Sequence, residues 1–272
     1  MDEFELIRRY FDRTTGTPGI VTGIGDDGAV LRPTPGRDQV QVIDTLVEGV
    51  HFPIETSAAD IGYRVVAVNL SDVAAMGAIP RWMTLALTLS RADPDWLADF
   101  SAGLFEAANE FDVELVGGDV TKGDQVVATV QVSAEVETGG ALLRSGAEVG
   151  DTVFVTGTVG DAAAGQRLLG NDEPDTFLVG RFLRPSARVE TGRQLIGRAS
   201  AVIDVSDGLL GDLGKLLAAS GVGGELEIDR LPVSNALQAH FDEAEQMRLA
   251  LTGGDDYELC FTASPDAVEG IA

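Results

Sequence analysis

The chain has 272 residues, 44% of them hydrophobic, which is enough apolar mass for one large or two ordinary domains and argues against a disordered chain. Asp and Glu number 44 against 19 Lys and Arg, a formal net charge of -25 that repels nucleic-acid backbones and anionic membrane surfaces. Neither is expected as a partner. Only Lys122 and Lys215 are lysines; the other basic residues are arginines. An acidic, lysine-poor surface suits a protein kept soluble in concentrated salt, where screening cancels self-repulsion; it predicts a halophilic, archaeal cytoplasm, with an ordinary acidic cytosolic protein as the alternative.

Cys260 is alone, which excludes an intrachain disulfide and a Cys-based zinc site, and His51 and His240 are too few for a histidine cluster. The start, Met1-Asp2-Glu3-Phe4-Glu5, is acidic where a signal peptide needs positive charge. No apolar run approaches the roughly 18 residues of a membrane span. A soluble, cytoplasmic protein is expected.

In chain order, the apolar period switches repeatedly between helix and strand, which predicts a mixed α/β chain. Glu3 to Phe11 reads as an amphipathic helix and Gln39 to Ile43 as a strand ending at Asp44. Thr56 or Ser57 can cap a long helix to about Met76, stopped by Gly77 and Pro80. Arg81 to Leu89 alternates as a strand, and Asp93-Pro94 opens a helix to about Phe111. Val113 to Val116 reads as a buried strand. Val126, Ala128, Val130, Val132, Ala134 and Val136 share one parity, the mark of a long half-buried strand in an antiparallel or mixed sheet.

A Gly-rich turn region at 139–150 then separates two α/β domains, 1–145 and 146–272. The second holds strands near Asp151 to Thr156, Ala201 to Ile203, Glu225 to Ile228 and Tyr257 to Thr262. Its helices are expected near Asp161 to Leu169, Ser186 to Arg198 and Asp207 to Ser220.

The aspartates are the most informative feature. Asp26 and Asp27 sit in a glycine-bounded loop, Asp44 at a strand end, Asp119 after Gly117-Gly118, and Asp204 and Asp207 between a strand and a helix. Clustered carboxylates repel unless a cation compensates, and hard cations such as magnesium take oxygen ligands with substrate phosphates and water. Helical spacing places Asp72 on one face with Val65, Val68 and Met76, an apolar setting that favours a ligand or cleft position, with Asn69 one turn earlier to orient it. Arg144 lies in the turn between the domains, where a guanidinium can grip phosphate or balance nearby acids. Gly253-Gly254-Asp255-Asp256 is a second glycine-bounded acid pair, open to reading as a plain turn, and Cys260 in an apolar strand reads as core. P-loop, protein-kinase and Gly-x-Ser-x-Gly motifs are missing, so a nucleotide would have to be held mainly through metal and backbone.

The motifs Gly23-Ile24-Gly25-Asp26-Asp27, Asp44-Thr45-Leu46-Val47-Glu48-Gly49-Val50-His51-Phe52 and Asn69-Leu70-Ser71-Asp72-Val73-Ala74-Ala75-Met76-Gly77-Ala78 occur in order, followed by Gly117-Gly118-Asp119. Leu183-Arg184-Pro185, Asp204-Val205-Ser206-Asp207-Gly208-Leu209 and Gly253-Gly254-Asp255-Asp256-Tyr257-Glu258-Leu259 complete the series. Over nearly its whole length the chain resembles the thiamine-monophosphate kinases, of the aminoimidazole ribonucleotide synthetase-like superfamily.

That resemblance implies a two-domain fold, with a mixed-sheet N-terminal domain that dimerises and an α/β C-terminal domain, in a homodimer. It implies ATP as co-substrate and phosphorylation of thiamine monophosphate to thiamine diphosphate. Several Mg2+ ions on Asp26, Asp44, Asp72, Asp119, Asp204 and Asp207 would bridge the phosphates. Gly118, Asp119, Arg144 and Ser206 would contact ATP, and His51 and Asp255 the thiamine phosphate. Direct in-line transfer is expected, with Asp207 the ligand nearest the reaction, because the acceptor is already a phosphate oxygen.

Three departures stand out. Val42 and Ile43 replace hydroxyl residues common before the aspartate, Asp255 stands where many members carry glutamate, and a final segment with an aromatic that packs on the thiamine rings is expected beyond Ala272. Selenophosphate synthetase-like or hydrogenase-maturation-like members would bring a reactive Cys near the N-terminus or in a C-terminal tail. A non-catalytic protein would bind nucleotide or cation without turnover.

Overall fold

The chain, described here by a computed structural model over residues 3–13 and 18–270, forms two compact units: residues 1–73 with 79–139, and residues 74–78 with 140–272. The change of unit at Gly139–Gly140 compares with the division expected near residue 145. Met1 and Asp2 of the acidic start, and Ile271 and Ala272, lie outside the described residues.

The first unit opens with helix α1 (Glu3–Tyr10) and a short antiparallel pair, β1 (Ile20–Thr22) and β2 (Val30–Leu31). Then follow β3 (Arg37–Val47), α2 (Ala58–Ala75), β4 (Ile79–Leu89), α3 (Pro94–Glu110), β5 (Glu114–Lys122) and β6 (Val127–Glu137). Ser57 caps α2, its hydroxyl accepting the Asp60 amide at 3.1 Å and donating to the Asp60 carboxylate at 2.7 Å. α2 ends at Ala75, just before the left-handed Gly77, and Pro80 lies within β4. At α3, the Asp93 carboxylate accepts the amides of Asp95 and Trp96, with Pro94 at the first helical position. Gly103 of α3 lies so close to the Ala59 carbonyl of α2 that a Cβ there would overlap it.

The long strands form a mixed sheet in the order β3-β6-β4-β5, antiparallel except for the parallel pair β4 and β5. Ala128, Val130, Val132, Ala134 and Val136 of β6 are buried, as their shared parity requires, and with Val65, Leu70, Phe100 and Leu104 they belong to this unit's apolar core. At the intervening positions polar side chains bond across strands: Thr45 with Thr129 at 2.8 Å, and Ser133 to Gln41 at 3.1 Å.

The structure corrects two strand ends. β3 continues past Asp44 to Val47, and β5 runs through Gly117, Gly118 and Asp119 to Lys122, so these acids stand inside strands. The apolar run stops early, but the ladder does not: β6 pairs with β3 from Glu137 opposite Arg37 to Val127 opposite Val47, and β4 pairs with β5 out to Leu89 and Lys122.

The second unit contains β7 (Thr152–Val155), α4 (Asp161–Leu168), α5 (Thr176–Leu183), α6 (Val189–Gln194), β8 (Ala201–Val205) and α7 (Leu209–Ser220). It ends with α8 (Asn235–His240), α9 (Glu243–Thr252) and β9 (Glu258–Ala263), the central strand, antiparallel to both β7 and β8. Ile203, Val205, Leu209, Leu213, Leu216 and Cys260 share one apolar cluster, and Ala164, Leu178, Leu237 and Leu249 another. Burial pushes the Cys260 thiol up to about 12, in keeping with a core side chain.

Here too the structure revises expectations. Asp204 is the fourth residue of β8, and α7 starts at Leu209 rather than Asp207. Of the helix expected over 186–198 only α6 forms. No strand forms over Glu225–Ile228; Ile228 is exposed and begins a short 3-10 turn, so the local alternation has no partner to pair with among the described residues. Helices α5, α8 and α9 are additional. No described helix is long and apolar enough to cross a membrane.

Candidate active site

Within the first unit, the Gly23–Ala29 loop, the Gly117–Asp119 stretch of β5 and residues of α1 line a cavity of about 840 Å³. That volume falls in the range of small-molecule sites. Asp26 and Asp119 both line it and both are exposed, so two carboxylates from segments far apart in sequence reach the same space. Gly118 has a φ of 155°, and a Cβ there would collide with the Leu85 backbone. Only glycine fits this approach of β5 to β4, which leaves bare backbone beside Asp119.

Asp44 is level with Val130, Leu85 and Gly118 across the four strands, while Asp119 is one row along, level with Ala86, Thr129 and Thr45. The two aspartates therefore stand on successive rows rather than side by side. Asp72, half-buried, follows buried Val65 and Val68 on α2. The expected orientation of Asp72 by Asn69 is not how the Asn69 amide nitrogen is used, since it donates back to the Val65 carbonyl at 2.9 Å. His51 is exposed in the turn after β3, and its Nδ1 accepts the Val47 amide at 2.9 Å. The neutral ring then carries its proton on Nε2, a donor suited to a phosphate oxygen.

In the second unit the structure brings Ser206, Asp207 and Asp255 together. The Asp255 amide donates to the Ser206 carbonyl at 2.9 Å and the Tyr257 amide to the Val205 carbonyl at 2.8 Å. Asp255 and Tyr257 both have left-handed backbones, φ 70° and 52°. Such residues cost on the order of 1–3 kcal/mol each and persist only where their surroundings over-determine them. Tyr257 also donates its hydroxyl to Asp255 Oδ1 at 3.2 Å.

What holds this turn is a pair of buried acids between and beyond the strained residues. Asp256 accepts the Gly160 and Ala162 amides at the start of α4, at 2.6 and 3.0 Å. Glu258, with no exposed side-chain surface, accepts from Arg181 at 2.8 Å, from Arg188 at 2.7 and 2.5 Å, and from the Thr156 hydroxyl at 2.5 Å. Burial pushes the Asp256 carboxyl up to about 7, although the two amides and Arg181 pull it down.

A carboxyl raised in the fold adds stability below its unfolded value near 3.8, and that stability is lost as pH rises through about 7. The stability of the wild type relative to Asp256→Asn should therefore fall by about 1–4 kcal/mol between pH 4 and pH 7.5. Urea unfolding at both pH values checks this; a constant difference would contradict it.

Asp207 is exposed, and its neighbour Asp212 is buried. Asp212 Oδ2 accepts the Ser206 and Asp207 amides, both at 2.9 Å. Lys215 donates to Asp207 Oδ2 at 2.5 Å and to Asp212 Oδ1 at 2.8 Å, bonds that hold its ammonium above the ordinary value. Asp204 is buried in β8, opposite Leu259. Arg144 is exposed, its carbonyl accepting the Ser220 hydroxyl at 3.2 Å. Sequence reasoning missed Asp212, Lys215, Glu258 and the anchoring role of Asp256; the available signal was acids inside apolar stretches, which burial tolerates only when they are bonded.

Among the described residues no three His, Cys, Asp or Glu side chains converge as a ready metal cage. The acids offer oxygen donors only, as singles and pairs.

Two such α/β units define an AIR synthase-related protein: the profile of the AIR synthase related protein N-terminal domain matches residues 25–136, and that of the C-terminal domain residues 148–272. The thiamine-monophosphate kinase of Salmonella typhimurium is 48% identical over 267 residues, covering 96% of this chain and 82% of that protein. The crystal structure of thiamine-monophosphate kinase from Stenotrophomonas maltophilia K279a, 45% identical, matches with a TM-score of 0.91 over 99% of this chain and 88% of that one. AaThiL complexed with AMPPCP and TMP, 34% identical, matches with a TM-score of 0.81 over 90% of this chain and 81% of that one. Within the AIR synthase-related class, the chain belongs to the thiamine-monophosphate kinase family.

Proposed function

We propose that the chain transfers the γ-phosphoryl group of ATP to thiamine monophosphate, giving thiamine diphosphate and ADP. The observation that carries this reading is the hydrogen-bonded junction of the Val205–Ser206 and Asp255–Tyr257 segments, next to Asp207, in a chain whose relative AaThiL is complexed with AMPPCP and TMP. A phosphate oxygen of the acceptor bonds to the γ-phosphorus as the bridging oxygen to the β-phosphorus leaves. No base is required, because that acceptor oxygen carries no proton to remove when ionised.

In this reading Gly118 and Asp119 of the first unit, and Ser206 and Arg144 of the second, are the residues that contact ATP. The guanidinium of Arg144 suits a bidentate grip on phosphate. His51 Nε2 donates to the thiamine phosphate, and Asp255, held against Ser206, orients that substrate.

Magnesium fits the residues present, since the donor set is carboxylate throughout and the carboxylates are dispersed, which suits a cation that keeps waters and phosphate oxygens in its shell. Several such ions would be held, distributed among Asp26, Asp44, Asp72, Asp119, Asp204 and Asp207. When bound, magnesium supplies charge neutralisation between two anionic substrates.

A homodimer is supported by β3, an edge strand whose Ile43 is 64% exposed. The acid excess and scarcity of lysine support a halophilic cytoplasmic setting. Incubation with ATP and either thiamine monophosphate or thiamine, with and without Mg2+ and from low to multimolar KCl, tests the reading. Thiamine diphosphate formed only from the monophosphate, only with Mg2+ and faster in high salt is expected. A folded protein that forms none under any condition would overturn it.

A further inference from the structure

Lys215 is one of only two lysines in the chain, and it stands between two carboxylates of unlike character. Asp212, one turn back on α7, is 1% exposed, and its Oδ2 is occupied by the Ser206 and Asp207 amides, so Oδ1 is the oxygen facing the ammonium at 2.8 Å. This buried acid fixes where Lys215 sits. The second contact, 2.5 Å to Asp207 Oδ2, reaches an acid that is 71% exposed. Exposed pairs are weak, whereas a cation against a buried acid is retained. A compact ammonium can also release one oxygen while keeping the other, which the planar fork of an arginine resists.

We propose that Lys215 is a built-in counter-cation that holds the Asp207 carboxylate in the metal-free enzyme and yields it to the incoming divalent cation while remaining on Asp212. This rests on Asp207 as a metal ligand. Without metal, the pairing keeps the Asp207 side chain placed and its charge balanced. With metal, the released ammonium keeps its contact with Asp212.

The test uses the full chain and Mn2+ alone as the probe. Amine acylation of the wild type, quantified by mass spectrometry, has an internal reference in exposed Lys122. Mn2+ should raise labelling of Lys215 relative to Lys122. Lys215→Gln should bind Mn2+ about two- to fivefold more tightly, the size expected on losing one exposed pair, while Lys215→Arg should not. Unchanged Lys215 labelling at Mn2+ saturation, or Lys215→Gln binding no tighter, would overturn the proposal. Asp207→Asn separates the premise: if it binds Mn2+ as the wild type does, the assignment of Asp207 as a ligand fails, and the proposal with it. If Lys215→Gln does not fold, the labelling of the wild type still decides.

Discussion

Asp207→Asn is expected to lower kcat by about a hundredfold to a thousandfold, the usual cost of losing one charge-stabilising group in a transition state, with little change in stability. The fold should survive because Asp207 contributes little to packing. The buried acid beside it, Asp212, keeps both its backbone amides and Lys215 in the variant. The isosteric amide retains the shape of the carboxylate but removes the charge that would meet the cation near the transferring phosphoryl group. Steady-state kinetics with a thermal melt on the same preparation would check both halves. Full activity in the variant would remove Asp207 from the mechanism.

Glu258→Ala should act in the opposite way, costing about 3–5 kcal/mol of stability, because truncation leaves Arg181 and Arg188 facing an empty, desolvated position. The effect on substrate follows from where Glu258 stands. It is the first residue of β9, immediately after the left-handed Tyr257 and three residues after Asp255. Loss of the anchor should therefore raise KM for thiamine monophosphate. Glu258→Gln, which keeps hydrogen bonding and volume, should be milder on both counts. Denaturant unfolding gives the first quantity and initial rates the second; a loss below about 1 kcal/mol in Glu258→Ala would contradict the role assigned to the network.

The two expectations differ in how far the sequence announces them. Asp207 lies in a motif that reads locally, between an apolar strand and a helix, and its importance follows from acid placement alone. Glu258 reads as an unremarkable acid after a glycine turn, since its partners Thr156, Arg181 and Arg188 are distant in the chain and only the fold assembles them. Asp256 is hidden in the same way, its ligands being the amides that start α4.

Secondary structure divides along the same line. Where the pattern is long or the cap is local, as in β6, at Ser57 and at Asp93-Pro94, sequence and structure agree closely. The ends of β3, β5 and β8 lie beyond the apolar runs because strand length is decided by the partner strand, not by where the apolar run stops. Helices α8 and α9 had readable caps, Ser234 and Asp242, each accepting an amide three residues on, but their short apolar stripes carry too little period to stand out from a loop. Asp26 and Asp119 were legible as acids beside glycine, whereas their meeting at one cavity needed the sheet.

The most direct test of the central claim is a single turnover with ATP labelled in the γ-phosphoryl group, excess enzyme, thiamine monophosphate and Mg2+. Label should pass to the terminal phosphate of thiamine diphosphate in step with ADP release, and none should be retained on the protein. Label recovered as a stable phosphoprotein, or only as inorganic phosphate while thiamine monophosphate is left unchanged, would contradict direct transfer between the two substrates.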